Sequence, residues 1–278
     1  MENRDSLKRT MNKVRFLNHA FVVVALAALA ASASAQHRPP YTPPSPETRA
    51  KLEYAYGLVK ESEAMLRTAR NLLVAGDLEK AWTEAERALE RVAELAPSDA
   101  NHAHQVLAEI YVAKGQYALA LNEIAQGYKE DRTVRSLATE ALALIGVGRA
   151  QESRPLLAKA LKGDKMVVEL QGDWTDLPAV DNASGEALAA TAYLLRAVGD
   201  YEEGKRQDLE SAQRLAPRNP VVGLSLATFY RKSLRRPDLA RKALEKAHGG
   251  TKATRDLLAR ELGRIKIAEV EAAAKPNG

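Results

Sequence analysis

The chain has 278 residues, of which 46% are hydrophobic and none is cysteine, so disulfides, thiolate metal sites, cysteine nucleophiles and lipid attachment through cysteine are excluded. Its 41 basic and 36 acidic residues give a formal net charge of +5. Five of the basic and two of the acidic residues lie in the first 35 positions, so the remainder is nearly neutral and its overall charge does not predict nucleic-acid binding.

Residues 1–35 have the pattern of a secretory signal peptide. Basic residues precede an apolar run from Phe21 to Ala31, and the small-residue sequence Ala-Ser-Ala ends at Ala35. The apolar run is shorter than the roughly 20 residues that cross a bilayer. We therefore expect cleavage and export to the periplasm or medium, with a retained anchor as the alternative and with Met11 as an alternative start.

Residues 36–47 form a proline-rich linker, with five prolines between His37 and Pro46. Such a composition predicts an extended tether. A docking role for its Pro-Pro-Tyr sequence is the alternative.

Residues 48–250 contain about five predicted helical pairs. Each pair has a small residue in its first helix, a turn containing Gly or Pro, and an Ala-rich second helix. The small residues are Ala69, Ala108, Ala141, Ala192 and Ala227, at separations of 39, 33, 51 and 35. A lone helical hairpin cannot bury its apolar face and must stack on a neighbour. The pattern therefore predicts an all-α array of stacked hairpins.

These repeats resemble the tetratricopeptide repeat family over residues 62–248. The matching turns are Gly76-Asp77-Leu78, Gly115-Gln116-Tyr117, Gly148-Arg149-Ala150, Gly199-Asp200-Tyr201 and Pro237-Asp238-Leu239. The early tryptophan of the family is absent from all five repeats. The resemblance implies a right-handed α-solenoid whose first helices line a concave groove.

Two separations differ from the usual spacing of about 34 residues. We attribute the separation of 39 residues to a longer second helix, which we expect to run from Leu78 to Ala96 and to end at Pro97. The 51 reflects an insertion at residues 163–184, which contains Trp174. We interpret the insertion as an apolar plug between the third and fourth repeats, with a functional loop as the alternative.

The two ends of the array also have predicted roles. Residues 48–75 contain no helix breaker except Gly57, which predicts a long first helix extending beyond the array. Residues 251–278 form a predicted C-terminal capping helix and tail, with Leu258, Leu262 and Ile265 on one face.

No pattern of catalytic residues is present. His102 and His104 are two positions apart, which on a helix points them in different directions, so they cannot chelate one metal ion, and we interpret them as surface imidazoles. Phosphate-binding loops, nucleophile elbows and HExxH sequences are absent from the sequence. We expect no catalytic residue, no metal and no cofactor.

The resemblance places particular first-helix side chains in the groove. They are Arg70, Arg135, Arg196 and Arg231, with Leu66, Leu142 and Tyr193, and also Glu63, Gln105, Glu109 and Thr228. Guanidinium groups bind carboxylates through paired hydrogen bonds, so the four arginines are a candidate anion-binding row. A solvated helix face is the alternative.

A basic cluster of Arg231, Lys232, Arg235 and Arg236 lies at the turn of the fifth repeat. Such a cluster is suited to anionic lipid or acidic polymer, and a solvated loop is the alternative.

The sequence thus predicts an exported, non-catalytic scaffold that binds a peptide or protein partner in its concave groove. One alternative is a binder of anionic envelope polymer or of the membrane surface through the basic cluster. Another is an auxiliary subunit that docks onto an export or assembly machine through its first helix and tether. We expect neither nucleic-acid binding nor a transmembrane segment after signal cleavage.

Overall fold

The computed structural model describes residues 45–93, 95, 97–127, 132–163, 184–198 and 202–274. The predicted signal peptide, nearly all of the predicted linker and residues 164–183 of the predicted insertion lie outside these ranges. The described residues form helices and their connections, without a strand. No helix in the described ranges has the length and apolarity needed to cross a membrane.

Eleven helices follow one another in the described part of the chain. They are α1 (Pro46–Ala75), α2 (Leu78–Val92), α3 (Pro97–Ala113), α4 (Tyr117–Gly127), α5 (Val134–Gly146), α6 (Ala150–Gly163), α7 (Gly185–Val198), α8 (Glu202–Leu215), α9 (Pro220–Lys232), α10 (Pro237–Lys246) and α11 (Lys252–Ala274).

Helices α1 to α10 pack as five consecutive hairpins, and each hairpin contacts the next. Helix α5 contacts α7 directly, so the third and fourth hairpins stay adjacent despite the insertion between them. Helix α11 packs against both α9 and α10. The prediction of an all-α solenoid of stacked hairpins with a C-terminal capping helix is confirmed.

The core of the array depends on small side chains. All five predicted small residues, Ala69, Ala108, Ala141, Ala192 and Ala227, are fully buried, which lets the helices of each pair approach closely. Leucine, isoleucine and valine side chains fill the space between hairpins in three apolar clusters along the array. The prediction that these alanines mark the helix contacts is therefore confirmed.

Glycine in the left-handed conformation ends the first helix of each of the first three hairpins. Gly76, Gly115 and Gly148 have φ angles of 84°, 72° and 81°, a region that L side chains avoid. In the divergent fifth hairpin Arg235 takes a φ of 52° instead. The repeated turn glycine is thus a backbone requirement of these three turns.

The predicted role of Pro97 is wrong. Helix α2 ends at Val92, four residues before the predicted end, and Pro97 is the first residue of α3. Proline suits that position because its fixed φ is helical and the amide hydrogen it lacks would have no partner there. Helix α2 still has 15 residues against 11 in α4, so part of the extra length of the first spacing lies in the second helix, as expected.

The first helix is long, as predicted. Ser45 caps it by accepting a hydrogen bond from the Thr48 amide at 3.2 Å, and its 30 residues are twice the length of α2. In its N-terminal half Tyr54 and Tyr56 are exposed. That half therefore extends past the end of α2.

The array also makes a contact between its first and fourth hairpins. Helix α8 packs against α1, and the side-chain amide of Gln207 donates a hydrogen bond to the backbone carbonyl of Val74. These residues are 133 positions apart in the chain. The array therefore curves enough to bring its first hairpin against its fourth.

Candidate functional site

Three of the four predicted groove arginines form paired hydrogen bonds with carboxylates of the same chain. Arg135 on α5 donates to Glu109 on α3, with both bonds at 2.7 Å. Arg196 on α7 donates to Asp208 on α8 at 2.8 and 2.5 Å. The arginines of the predicted row thus bind carboxylates of the array itself, and each ion pair joins two helices.

Arg231, the third of these arginines, lies apart from the other two. It donates to Glu261 of the capping helix α11 at 2.6 and 3.1 Å, and Glu261 is 1% exposed. Its ion pair attaches α11 to α9, so we assign Arg231 to the end of the array.

The other three arginines, Arg70, Arg135 and Arg196, all interact electrostatically with the carboxylate of Glu109. The Glu109 side chain is 1% exposed, and burial alone would raise the pKa of its carboxyl. The charges of Arg135, Arg70 and Arg196, with the hydrogen bonds from Arg135, outweigh burial and lower the pKa to about 2. The side-chain amide of Gln105 also donates to this carboxylate at 3.1 Å. Glu109 is therefore ionised at every physiological pH.

The two histidines of α3 differ from their predicted exposure. His104 is 9% exposed and its Nδ1 lies 2.8 Å from a carboxylate oxygen of Glu123. His102 is partly buried, and burial together with the charge of Arg70 lowers its pKa to about 4. The interpretation of both as surface imidazoles is wrong, because α3 packs between neighbouring helices on more than one side. His102 is neutral at pH 7.

We call Arg70, His102, Glu109, Arg135, Arg196 and Asp208 the inner charge cluster. At pH 7 it contains three guanidinium groups and two carboxylates, because His102 is uncharged. Nη1 of Arg196 is buried and has no hydrogen-bond partner within the described part of the chain. The cluster therefore contains one buried guanidinium donor, Nη1 of Arg196, that could bind one more acceptor.

Tyr193 lies beside this donor. The Arg196 guanidinium carbon is 5.2 Å from the centre of the Tyr193 ring, a distance typical of a cation–π contact. Burial raises the pKa of the Tyr193 hydroxyl, so the side chain stays neutral. Tyr193 and Arg196 are thus in contact on α7.

The two predicted apolar groove residues lie in the core. Leu66 is 2% exposed among the side chains of the first two hairpins, and Leu142 is 5% exposed among those of the next hairpins. Both face neighbouring helices because the hairpins pack tightly at their alanines. In this conformation neither side chain is accessible to a partner.

The predicted basic cluster is only partly available at the surface. Arg231 is bound to Glu261, and Arg236 donates to the Asp238 carboxylate at 2.8 and 2.7 Å. Lys232 and Arg235 are exposed. The free charge of this surface is therefore smaller than its sequence indicates.

The carboxylates that pair with the arginines were not recognised from the sequence as partners. Glu109 was placed in the groove without a partner, and neither Asp208 nor Glu261 was predicted to contribute. A signal was present for Asp208, because Arg196 and Asp208 belong to the two helices of one predicted hairpin. Within the described ranges, no group of three or more metal-ligating side chains occurs.

No protein-family model matches the chain, and no curated protein is significantly similar to it in sequence. Among solved structures it is similar to Pseudomonas aeruginosa PilF, with 20% identity over 77% of this chain and 90% of that one, and a TM-score of 0.39. It is also similar to YrrB, a TPR protein with an unusual peptide-binding site, with 13% identity, 82% and 98% coverage, and a TM-score of 0.35. With both TM-scores below 0.5, we infer nothing about the partners of this chain from either protein.

Proposed function

We propose that this protein is an exported, non-catalytic scaffold that binds a peptide or protein segment at the inner face of its first helices. The observation that carries the proposal is the buried guanidinium nitrogen Nη1 of Arg196, which has no hydrogen-bond partner in the described part of the chain. A segment that presents a carboxylate there would accept this hydrogen bond. The acidic group is thus the feature by which we expect the partner to be recognised.

The free donor of Arg196 supports an acidic partner. A buried donor without a partner costs about 1–3 kcal/mol, and hydrogen bonds between ionised groups are stronger than neutral ones. Asp208 already holds the guanidinium plane through two of its nitrogens. Arg196 is therefore held in place before a partner arrives, which lowers the entropic cost of binding.

Arg196→Lys gives the sharpest test, because lysine keeps a positive charge beside Asp208 but lacks the guanidinium donor Nη1. We would express the tagged chain in its own host and capture bound proteins from a detergent extract of the envelope, at low and at moderate salt. Arg196→Lys should lose the captured protein, and Arg206→Lys should retain it because Arg206 is an exposed arginine of α8.

The expected loss for Arg196→Lys follows from one charged hydrogen bond, worth about 1.5–3 kcal/mol, or roughly a 10- to 100-fold weaker affinity. Equal capture by both variants would contradict the proposed role of the cluster. Loss of helicity in Arg196→Lys would show a role in folding and would also contradict it.

Binding of anionic polymer or of a membrane surface through the basic cluster is the second candidate. It is supported by the exposure of Lys232 and Arg235 and by the further exposed Lys242 nearby. It predicts co-sedimentation with vesicles containing phosphatidylglycerol that is lost at high salt. Replacing Lys232, Arg235 and Lys242 by Gln should abolish this sedimentation and leave capture of the protein partner unchanged.

A further inference from the structure

The capping helix α11 packs on the array with one side only. Ile265 is fully buried in the apolar cluster of the last two hairpins, and Leu258 and Leu262 pack against the same cluster. Because an α-helix turns by about 100° per residue, Ile267 and Val270 point about 200° and about 140° away from Ile265. They therefore lie on the side of α11 that faces away from the array.

This second side of α11 is apolar along about four helical turns. We call it the outer face, and it consists of Ala259, Gly263, Ile267, Val270 and Ala274, which are all exposed. Ile267 is 61% exposed and Val270 is 69% exposed. The terminal helix of a repeat array usually has a polar outer side that ends the stack in water. An apolar stripe in that place indicates an interaction surface.

The charges beside the outer face complement each other in an antiparallel pair of α11 helices. Arg264 and Glu271 lie seven residues apart and therefore on the same edge of the outer face. Glu271 is exposed, and the Arg264 side chain remains 61% exposed although it donates to Glu261 at 3.3 Å. In a two-fold symmetric antiparallel pair each edge meets the same edge of the second copy. Arg264 of each copy then lies opposite Glu271 of the other when residues 267 and 268 are side by side.

The side-chain sizes of the outer face fit the same register. With residues 267 and 268 side by side, Val270 of one copy lies opposite the space between Gly263 and Ile267 of the second copy. Ala274 likewise lies opposite the space between Ala259 and Gly263. A side chain added at Gly263 would meet only open space, so a second helix can approach closely there. Large side chains thus face small ones, as interdigitating helices require.

We propose that the outer face of α11 is a self-association surface, through which two copies of the chain pair as an antiparallel, two-fold symmetric dimer. A second copy is the occupant because the outer face is complementary to itself in both charge and shape. The pairing is independent of the inner charge cluster and adds to the proposed function. Its contact is about 24 Å long, so the interface is small and the dimer dissociates on dilution.

Sedimentation equilibrium of the full chain, purified from its own host, measures this pairing from about 1 to about 300 µM, the range suited to a small interface. Ile267→Lys brings two ammonium groups together at the two-fold axis and should weaken the dimer at least about 100-fold. Tyr54→Lys changes a similarly exposed residue on α1 and should leave the dimer unchanged. Circular dichroism of both variants should match that of the unaltered chain.

Two results of this experiment would overturn the proposal. One is a monomer over the whole concentration range. The other is a dimer that Ile267→Lys does not weaken, because the copies would then associate through a different surface.

A mixture of two charge variants tests the antiparallel register. Arg264→Glu alone and Glu271→Arg alone each place like charges opposite one another, and each should weaken the dimer. In an equimolar mixture every acidic residue again faces a basic one, so the mixture should dimerise as the unaltered chain does. A mixture no more dimeric than its components would overturn the antiparallel arrangement.

Disulfide trapping in the host tests both the occupant and the direction of the pair, since the chain has no cysteine of its own. Ile267→Cys places the two thiols beside the two-fold axis and should give a covalent dimer on mild oxidation. Ala259→Cys lies on the same face but about 26 Å along the axis from its counterpart, too far for a disulfide, and should give none. Linkage by both variants or by neither would overturn the proposal, as would a product of Ile267→Cys that contains a different protein.

Discussion

At the scale of single residues, two of the predicted groove arginines stabilise the fold through ion pairs within the array. Arg135 and Arg196 each bind a carboxylate that is less than 5% exposed. Two charges taken out of water require good geometry and further hydrogen bonds. Both pairs have two hydrogen bonds each, so the desolvation cost is offset and the helices that carry the partners are held in register.

Removing one partner of such a pair should destabilise the protein strongly. We expect Glu109→Gln to lower the free energy of unfolding by about 3–5 kcal/mol, because it removes the carboxylate that the buried Arg135 binds. Urea denaturation followed by circular dichroism measures this change. The double variant Glu109→Gln/Arg135→Met should lose less than Glu109→Gln alone, and an equal or larger loss would contradict the pairing.

Stability should fall in acid because of Glu109. Its pKa is about 2 in the folded protein against 4.5 as a reference, so the unfolded chain takes up the proton first. The stability from this group is present above pH 4.5 and is lost as the pH falls towards 2. Unfolding free energies from pH 5 to 2 should decline less steeply in Glu109→Gln than in the unaltered chain.

The contribution of His102 to the free energy of unfolding should change in a higher pH range. Its pKa of about 4 lies below the reference of 6.5 because burial and Arg70 disfavour the charged ring. Stability is therefore complete above pH 6.5 and falls as the pH drops towards 4, by roughly 2–3 kcal/mol. Urea titrations at pH 7 and 4.5 should show this drop in the unaltered chain and a smaller one in His102→Gln.

At the scale of helices and turns, two glycines, Gly115 and Gly57, have opposite effects on the stability of the backbone. Gly115 ends a helix at a φ of 72° with open space where a side chain would begin. Gly57 lies inside α1, also beside open space, with no such backbone angle. The first is needed for the conformation of the chain, and the second only weakens its helix.

The same substitution, glycine to alanine, should therefore change the unfolding free energy in opposite directions at the two positions. Gly115→Ala should lower the unfolding free energy by about 1 kcal/mol, because alanine avoids the left-handed region. Gly57→Ala should raise it by about 0.5–1 kcal/mol, because alanine favours the helix. Thermal unfolding of both variants measures the two signs, and destabilisation by both would contradict the turn assignment.

The helices could be predicted from the sequence because their signals are local. Alanines at helix contacts and glycine at the turns recur at regular intervals, and each depends only on nearby residues. Pro97 was misplaced because proline is compatible both with the region after one helix and with the first position of the next. The ion pairs were missed because Glu109 and Arg135 belong to different hairpins, 26 positions apart, and nothing in either segment alone identifies its partner.

At the scale of the whole molecule, the curvature of the array determines what the inner face presents. A linear repeat pattern predicts contacts between neighbours, but the α1–α8 contact depends on the summed rotation of four hairpins. A small change in each step would separate Gln207 from Val74. Sequence spacing therefore predicts the order of the hairpins and not how closely the first approaches the fourth.

Export remains a prediction, and it can be tested directly by determining the N-terminal residue of the mature protein. Cleavage after Ala35 should leave a mature chain that begins at Gln36, and N-terminal sequencing of the protein from its own host identifies that residue. Replacing Ala35 by Arg should block processing, because the cleavage site requires a small residue. An N-terminus at Met1 or Met11 in mature protein would contradict the signal assignment.

The central claim, that a partner segment binds at the inner face, is tested most directly by site-specific photo-crosslinking in the host cell. A photoreactive residue is placed at Tyr193, beside the Arg196 donor, and in a second chain at Lys159, an exposed position on α6. We predict one dominant cross-linked protein from position 193 that is absent from position 159. The same protein from position 159 with none from 193 would contradict binding at the inner face.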